Sequence, residues 1–447
     1  MSTPRSPTKA RSWSSYIWDS WDKSPEERKF LRRLDAGLIT YAALSYFSKN
    51  LDQQNITNAY VSGMQEEYVL RNLTLHGNEL NYITTAWTCG YVIGQIPSNL
   101  LITRIRPSLW IPAMELLWSI LTLVLASSKS FTTLVVVRFF VGLAESTFYP
   151  GMQYVIGSWY KKEELAKRAC IFHTSSAVGS MFSGFLQAGA YNGLNNVHGL
   201  AGWRWLFIID GVITAPIALL GFIIMPDLPS TTKPSFLLSS EHLEISKRRM
   251  EEAGRRRPSH FTKKKVLGFF KTWHLWMLVP LYVLFNNGGG GYTSMTFCFN
   301  TSDHTVYTVA QINTYPFGIY AVQIITTLAY AWWSDAVGAR WPPMLFAGTW
   351  SMVTYIVLAA TPLYSHIARF TLCAAGLSGL ILTWANELTQ DDNEKRAFVV
   401  ASCNMWAYVF QVGVSILHIQ PPLTSAIHRL GFRCEEQSDR RNVFLLT

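Results

Sequence analysis

Charge is scarce in this chain: of 447 residues, Asp, Glu, Lys and Arg together make up 15%. Soluble domains need more polar surface than that to cover their cores, so a string of water-soluble domains is excluded. Cysteine is scarce too. Cys89, Cys170, Cys298, Cys373, Cys403 and Cys434 stand singly, with no C-x-x-C spacing and no nearby His pair. That pattern excludes a disulfide framework, a zinc site of usual spacing and a dithiol redox centre, and we read the six as packing residues. Nothing in the chain looks like a nucleophile with its base, a metal cluster or a phosphate loop; Gly288 to Gly291 lack the Lys-Ser/Thr that must follow. We therefore expect no enzyme activity, cofactor or metal. The first 33 residues also lack the apolar core and small-residue cleavage site of a secretory signal. What the chain does have is apolar: 49% hydrophobic residues, 14% aromatic, and 17 Trp.

That apolar content falls in runs near the 20 residues or so that a helix needs to cross the hydrocarbon core. They lie at 36–56, 81–102, 108–127, 132–153, 170–191, 204–225, 273–295, 308–333, 343–362, 367–387 and 397–418, eleven spans in all. The chain then divides into a cytosolic tail (1–33), a first half of six spans (34–226), a basic linker (227–271), a second half of five spans (272–420) and an atypical carboxyl-terminal tail (421–447).

The 38 Lys and Arg exceed the 28 Asp and Glu by ten. Most of them sit in every second connecting segment: Arg5 to Arg33, Arg104 and Arg106, Lys161 to Arg168, Lys233 to Lys271, Arg340, and Lys395-Arg396. The segments between offer only Lys49, Arg71, Lys129 and Arg204. Basic short loops stay in the cytosol, so the alternation puts the amino terminus inside and makes the excess charge topological, not a nucleic-acid footprint. We read the linker runs Lys247-Arg248-Arg249, Arg255-Arg256-Arg257 and Lys263-Lys264-Lys265 as a solvated segment that can touch anionic lipid. Asn72-Leu73-Thr74 and Asn300-Thr301-Ser302 are glycosylation acceptors on the outer side by this topology.

An ionisable group inside a span costs about 2.5 to 3.5 kcal/mol, so each one points to a working site. Arg138 and Glu145 share the fourth span, seven residues and about two turns apart, on one helix face. One can hold an anion while the other exchanges a proton; a structural ion pair is the alternative. Pro150 and Gly151 should bend or break this helix. Asp52, Asn55 and Asn58 either line an entry vestibule or mark the water boundary of the first span. Gln95 lies behind Gly90-x-x-x-Gly94, glycines that we assign to close packing. Asn286-Asn287 and the four glycines before Tyr292 predict an unwound segment or gate in the seventh span. His173, Glu115 and Asp210 read as lone groups satisfied by neighbours.

Two halves around a basic central loop, with Ser334-Asp335-Ala-Val-Gly338-Ala-Arg340 between the eighth and ninth spans, resemble the major facilitator superfamily. The D-x-x-G-x-R loop marks Asp335, Gly338 and Arg340 as gating residues, and the first-half counterpart Thr103-Arg104-Ile-Arg106-Pro107 has lost its Asp and Gly. Within the superfamily the chain is similar to the fungal anion:cation symporters, the group of allantoate permease and the pantothenate and biotin transporters. The matching stretches are Tyr46 to Ala59, Arg138 to Pro150, Gly202 to Gly211, and Trp384-Ala-Asn386-Glu387, with Gln53 in a place where many members carry Arg.

The resemblance implies an all-α polytopic membrane protein with the major facilitator fold of two six-helix halves. It implies a monomer in the plasma membrane that imports a small organic carboxylate with protons by alternating access. Pantothenate is the expected substrate, and allantoate, biotin or a small peptide are the alternatives. Arg138 would take the carboxylate, with Asn55, Gln95, Asn287, Tyr292 and Asn386 as further substrate contacts; Glu145, with Asp52, would carry the proton. A twelfth span should follow Pro421, yet Leu423 to Thr447 is too charged to cross, which we read as the mark of a truncated, misspliced or frameshifted coding sequence. A non-transporting remnant or nutrient sensor is the competing expectation.

Overall fold

A computed structural model describes residues 18–64, 79–253, 263–288, 314–360, 379–389 and 392–417. Tyr292, both glycosylation acceptors and the charged carboxyl-terminal tail lie outside the described residues. Among the described residues the regular elements are helices: α1 (Pro25–Leu34), α2 (Thr40–Ala59), α3 (Glu79–Ile102), α4 (Pro107–Ala126), α5 (Phe131–Glu145), α6 (Phe148–Trp159), α7 (Lys162–Leu194), α8 (Gly202–Ile224), α9 (Ser240–Glu252), α10 (Lys263–Phe269), α11 (Trp273–Gly288), α12 (Phe317–Val337), α13 (Trp341–Ala360), α14 (Leu380–Leu388) and α15 (Asn393–Leu417). Three stretches, α4, α5 with α6, and α8, are long and apolar enough to cross a bilayer on composition alone. Their outward faces stay apolar, with Val212, Leu219 and Ile223 of α8 all more than half exposed, as a lipid-facing surface requires.

Helices α2 to α8 pack into one bundle; in the second, α11 packs with α14 and α15 and α12 packs with α13, and the two bundles meet where α3 lies against α15 and α7 against α12. Within the first bundle glycines set the spacing. A Cβ at Gly90 would run into the Phe139 carbonyl, one at Gly142 into the Trp87 carbonyl, and one at Gly179 into the Phe47 carbonyl. The close approach of α3 and α5 is therefore written in the glycines that the sequence assigns to packing.

The fourth span is broken four residues ahead of Pro150, at Ser146-Thr147. Proline lacks an N–H and its ring collides with the carbonyl four residues back, so the helix stops at Ser146 and restarts with Pro150 in its first turn, where no donor is missed. In the seventh span α11 runs unbroken through Asn286 and Asn287 to Gly288. The expected unwinding, if it begins further on, falls outside the described residues.

Two segments read as solvated are folded. Residues Asp19–Asp22 form a short 3₁₀ turn and α1 follows, capped by Ser24, whose hydroxyl accepts from the Glu27 amide at 3.3 Å, with Pro25 opening the helix. Phe30, Leu31 and Leu34 on α1 are fully buried, so the amino-terminal stretch is part of the core and not a free tail from residue 18 onward. In the linker, α9 docks through Leu243, Ile245 and Met250. Arg249 within the expected solvated run is buried, pairing with Glu27 at 3.1 Å and with Glu164.

Candidate functional site

The ionisable groups of the first bundle converge on its interior. Lys49 and Asp52 share one face of α2, three residues apart. Arg138 and Glu145 share a face of α5, and Asp210 comes from α8. All five are buried, none more than 2% exposed. Arg138 reaches the Asp52 carboxylate at 3.8 Å and donates to the Asp52 carbonyl at 3.4 Å, with its guanidinium over the Phe207 ring at 5.7 Å. Lys49 reaches Glu145 at 3.5 Å. Charge-assisted hydrogen bonds close to about 2.7 to 2.9 Å, so both ion pairs are stretched. Neither carboxyl oxygen of Asp52 or of Glu145 accepts a hydrogen bond among the described residues. Asp210, by contrast, is held: Asn55 donates to it at 2.8 Å, Ser183 donates to Asn55 at 2.8 Å, and Asn58 donates to Ser183 at 2.8 Å.

Two rings of α3 flank the ammonium of Lys49, and a ring of the second bundle packs on them. Trp87 and Tyr91, four residues apart on α3, stack on each other at 4.9 Å, and the ammonium sits 5.6 Å and 4.9 Å from their ring centres. Tyr408 of α15 meets both rings edge-on at 5.8 Å and 4.7 Å, and Asn404, one turn earlier, donates to the Tyr91 hydroxyl at 3.2 Å. Gln95 continues the same face of α3; it is fully buried, and among the described residues neither of its side-chain polar atoms is bonded.

Several sequence expectations change here. Lys49 is no loop charge, because it lies well inside α2 and belongs to the site; its spacing from Asp52 was the signal that could have found it. Asp52, Asn55 and Asn58 mark no water boundary, since the chain buries all three against α5, α7 and α8. Asp210 is no lone group but a member of the cluster. Glu115 fits the neighbour-satisfied reading on one oxygen, accepting from Tyr41 at 2.6 Å and Ser45 at 2.9 Å. His173 faces Tyr149, whose hydroxyl lies 3.3 Å from its Nδ1. Asn287 and Asn386 are bonded elsewhere: Asn287 donates to the Ala407 carbonyl at 3.2 Å, tying α11 to α15, and Asn386 donates to Gln153 at 3.3 Å, tying α14 to α6.

One end of the bundles is closed by a second set of charges. Gly338 takes a positive φ of 70° and ends α12, which turns Arg340 back onto Asp335 at 2.5 Å. Arg340 also holds Glu387 at 2.6 Å and donates to the Lys162 carbonyl of the first bundle at 3.1 Å. Arg396 adds donors to the Gly157 carbonyl at 2.9 Å and the Ser158 hydroxyl at 2.6 Å. The loop Thr103 to Pro107 lacks an acid of its own, and Asp227 from beyond α8 fills that place, accepting from the Ser108 amide at 3.2 Å and hydroxyl at 2.6 Å. Arg168 of α7 ties the amino-terminal segment to the same end through Asp35 at 2.7 Å and Asp19 at 2.9 Å.

Comparison with known proteins gives the family and the fold. The pantothenate transporter liz1 of Schizosaccharomyces pombe is 35% identical over 392 residues, covering 86% of this chain and 75% of that protein. The pantothenate transporter FEN2 of Saccharomyces cerevisiae is 33% identical over 415 residues, covering 90% and 80%. Among solved structures, the proton:xylose symporter XylE bound to 6-bromo-6-deoxy-D-glucose shares the fold with a TM-score of 0.68 at 12% identity, over 88% of this chain and 90% of that one. The family model of the Major Facilitator Superfamily matches residues 42–413, and this chain, a multi-pass membrane transporter, belongs to that superfamily.

Proposed function

We propose that the protein imports a small organic carboxylate of the pantothenate class across the plasma membrane, together with protons, and that it does so by alternating access. The observation that carries this reading is the buried cluster of Lys49, Arg138, Asp52, Glu145 and Asp210. Two cations and three carboxyls buried together are costly to keep. A carrier of an anion and a proton has a use for them: cations to receive the carboxylate and carboxyls to receive the proton. Arg138 with Asp52 is one such pair and Lys49 with Glu145 the other, and among the described residues neither carboxyl accepts a hydrogen bond that would compete with a proton. Gln95, with a free donor and acceptor, suits an amide or hydroxyl further along the substrate. The names of the two yeast relatives favour pantothenate among the carboxylates.

The basic end, with Arg106, Arg168, Arg249, Arg340 and Arg396, is the cytosolic one by the positive-inside rule, which leaves the amino terminus in the cytosol. The contacts of Arg340 and Arg396 between the bundles then form a closed inner gate, with release requiring that they part. Uptake of labelled pantothenate by a yeast strain lacking its own transporter tests the reading. Uptake should rise at acidic external pH and collapse with a protonophore. Pantothenate uptake by Glu145→Gln with the pH and protonophore responses of the wild type would refute the coupling role.

A further inference from the structure

The cluster contains two cations, and their surroundings differ. Every contact of Arg138 described above is to the first bundle: the Asp52 carboxylate and carbonyl on α2 and the Phe207 ring on α8. Lys49 is placed at the seam between bundles. Its ammonium touches Glu145 at 3.5 Å and the rings of Trp87 and Tyr91, and those rings are in turn held by Tyr408 and Asn404 of α15 in the second bundle. A ligand on Lys49 would therefore lie beside rings that the second bundle holds, whereas one on Arg138 would have to displace Asp52 within the first bundle.

We propose that Lys49 is the cation that receives the substrate carboxylate, and that Glu145 is its counter-ion until a proton and the substrate arrive together. The inference rests on the reading of the chain as a proton-coupled carboxylate importer, and it gives that reading a charge rule. Glu145 faces Lys49 and Asp52 of α2, Arg138 of its own helix, Asp210 of α8, Tyr91 of α3 and Tyr408 of α15. With Glu145 ionised, Lys49 is neutralised and an incoming carboxylate would add an unpaired buried negative charge. With Glu145 protonated and no substrate, Lys49 would lose its nearest carboxylate and keep only two aromatic faces and Asp52, which is itself engaged by Arg138. A proton on a Glu145 oxygen and a carboxylate on the Lys49 ammonium restore the original net charge. The two partly loaded states are the ones that burial penalises. One proton per carboxylate at this pair follows, and neither species crosses alone.

The stretched geometry of the pair fits an exchange of partners. At 3.5 Å the Lys49–Glu145 contact is longer than a charge-assisted hydrogen bond, and among the described residues neither Glu145 oxygen accepts a hydrogen bond in a fully buried site. Trp87 and Tyr91 hold the ammonium in place by its aromatic contacts while the carboxylate partner changes.

The test uses the full chain in proteoliposomes, with labelled pantothenate in counterflow at fixed pH and panthenol, in which a primary alcohol replaces the carboxylate, as competitor. Lys49→Gln should raise the half-saturation concentration for pantothenate about tenfold or more while panthenol competes as well as before, because only the carboxylate has lost its partner. Lys49→Arg should restore the preference for pantothenate over panthenol. Lys49→Gln with Glu145→Gln, which removes both charges, controls for folding and should behave as Lys49→Gln does. A Lys49→Gln protein that keeps the pantothenate preference, while Arg138→Gln loses it, overturns the inference and leaves the importer reading standing. A wild type that shows neither counterflow nor thermal stabilisation with any of a panel of short carboxylates overturns both.

Discussion

The guanidinium of Arg340 donates to the main-chain carbonyl of Lys162 at 3.1 Å, so a side chain of the second bundle is bonded to the backbone of the first. The same group pairs with both Asp335 and Glu387, and all three are mostly buried. Removing one partner of a buried ion pair leaves the other charged and unpaired, at a cost of roughly 3 to 5 kcal/mol. Arg340→Ala should therefore destabilise the proposed inner gate. Cys170 reports on it, being buried beside Tyr330, Ala331 and Leu380 at that end. Site-resolved alkylation of Cys170 should speed up about tenfold or more in Arg340→Ala, and the maximal transport rate should fall with little change in half-saturation. Unchanged Cys170 protection would remove Arg340 from the gate.

Gly142 sits against the Trp87 carbonyl with no room for a Cβ. The contact sets how near α5 comes to α3, and with it the distance from Glu145 to Trp87, Tyr91 and Lys49. Gly142→Ala must push the helices apart, and overpacking of this kind costs about 1 to 3 kcal/mol. The expected result is a lower melting temperature together with a raised half-saturation for substrate. Gly189, where an added Cβ meets nothing within 4 Å, is the comparison: Gly189→Ala should change neither.

Much of this fold is legible in the sequence because a bilayer leaves few options: a run of about 20 apolar residues has to be a helix, and basic loops have to alternate. Arg138 and Glu145 stand out for the same reason, as charges where charge is expensive. Lys49 does not, because α2 carries so many polar groups that the end of the first span reads as a water boundary. Its burial depends on α3, α5 and α15 arriving from distant parts of the chain. The docking of α1 and α9 is hidden likewise: their exposed faces are highly charged, and the partners of Arg249, Glu27 and Glu164, lie far from it in sequence. Asp227 filling the place of a lost loop acid is a tertiary substitution that no local motif reveals.

Arg204, one of the few basic residues of the sparsely charged loops, caps the end of α4. It donates to the Ala126 carbonyl at 2.7 Å and the Ser128 carbonyl at 3.0 Å, and its guanidinium lies 4.4 Å from the Trp203 ring centre. The last carbonyls of a helix have no partner within it, and an orphaned buried acceptor costs about 1 to 3 kcal/mol. Arg204→Ala should lower the melting temperature of the purified protein by several degrees while its half-saturation for substrate stays as in the wild type. A raised half-saturation would instead place Arg204 on the substrate route.

His242 makes the docking of α9 depend on pH. Its Nδ1 lies 3.3 Å from the Ser239 amide and accepts from it, which requires the neutral ring, and its imidazole packs 6.1 Å from the Phe30 ring of α1. Burial, together with Arg33 and Lys29 and against the opposing pull of Glu241, holds its pKa below the ordinary value of 6.5. The sign follows from linkage: the undocked imidazole binds a proton more readily than the docked one, so docking is fully supported above pH 6.5 and loses support as pH falls through that value toward the docked pKa. Amide exchange over residues 240–252 should therefore accelerate between pH 7 and 5.5, after correction for the intrinsic rate, and should do so less in His242→Gln. Protection that stays flat across this range would show that the linker helix is held by Arg249 and its apolar face alone.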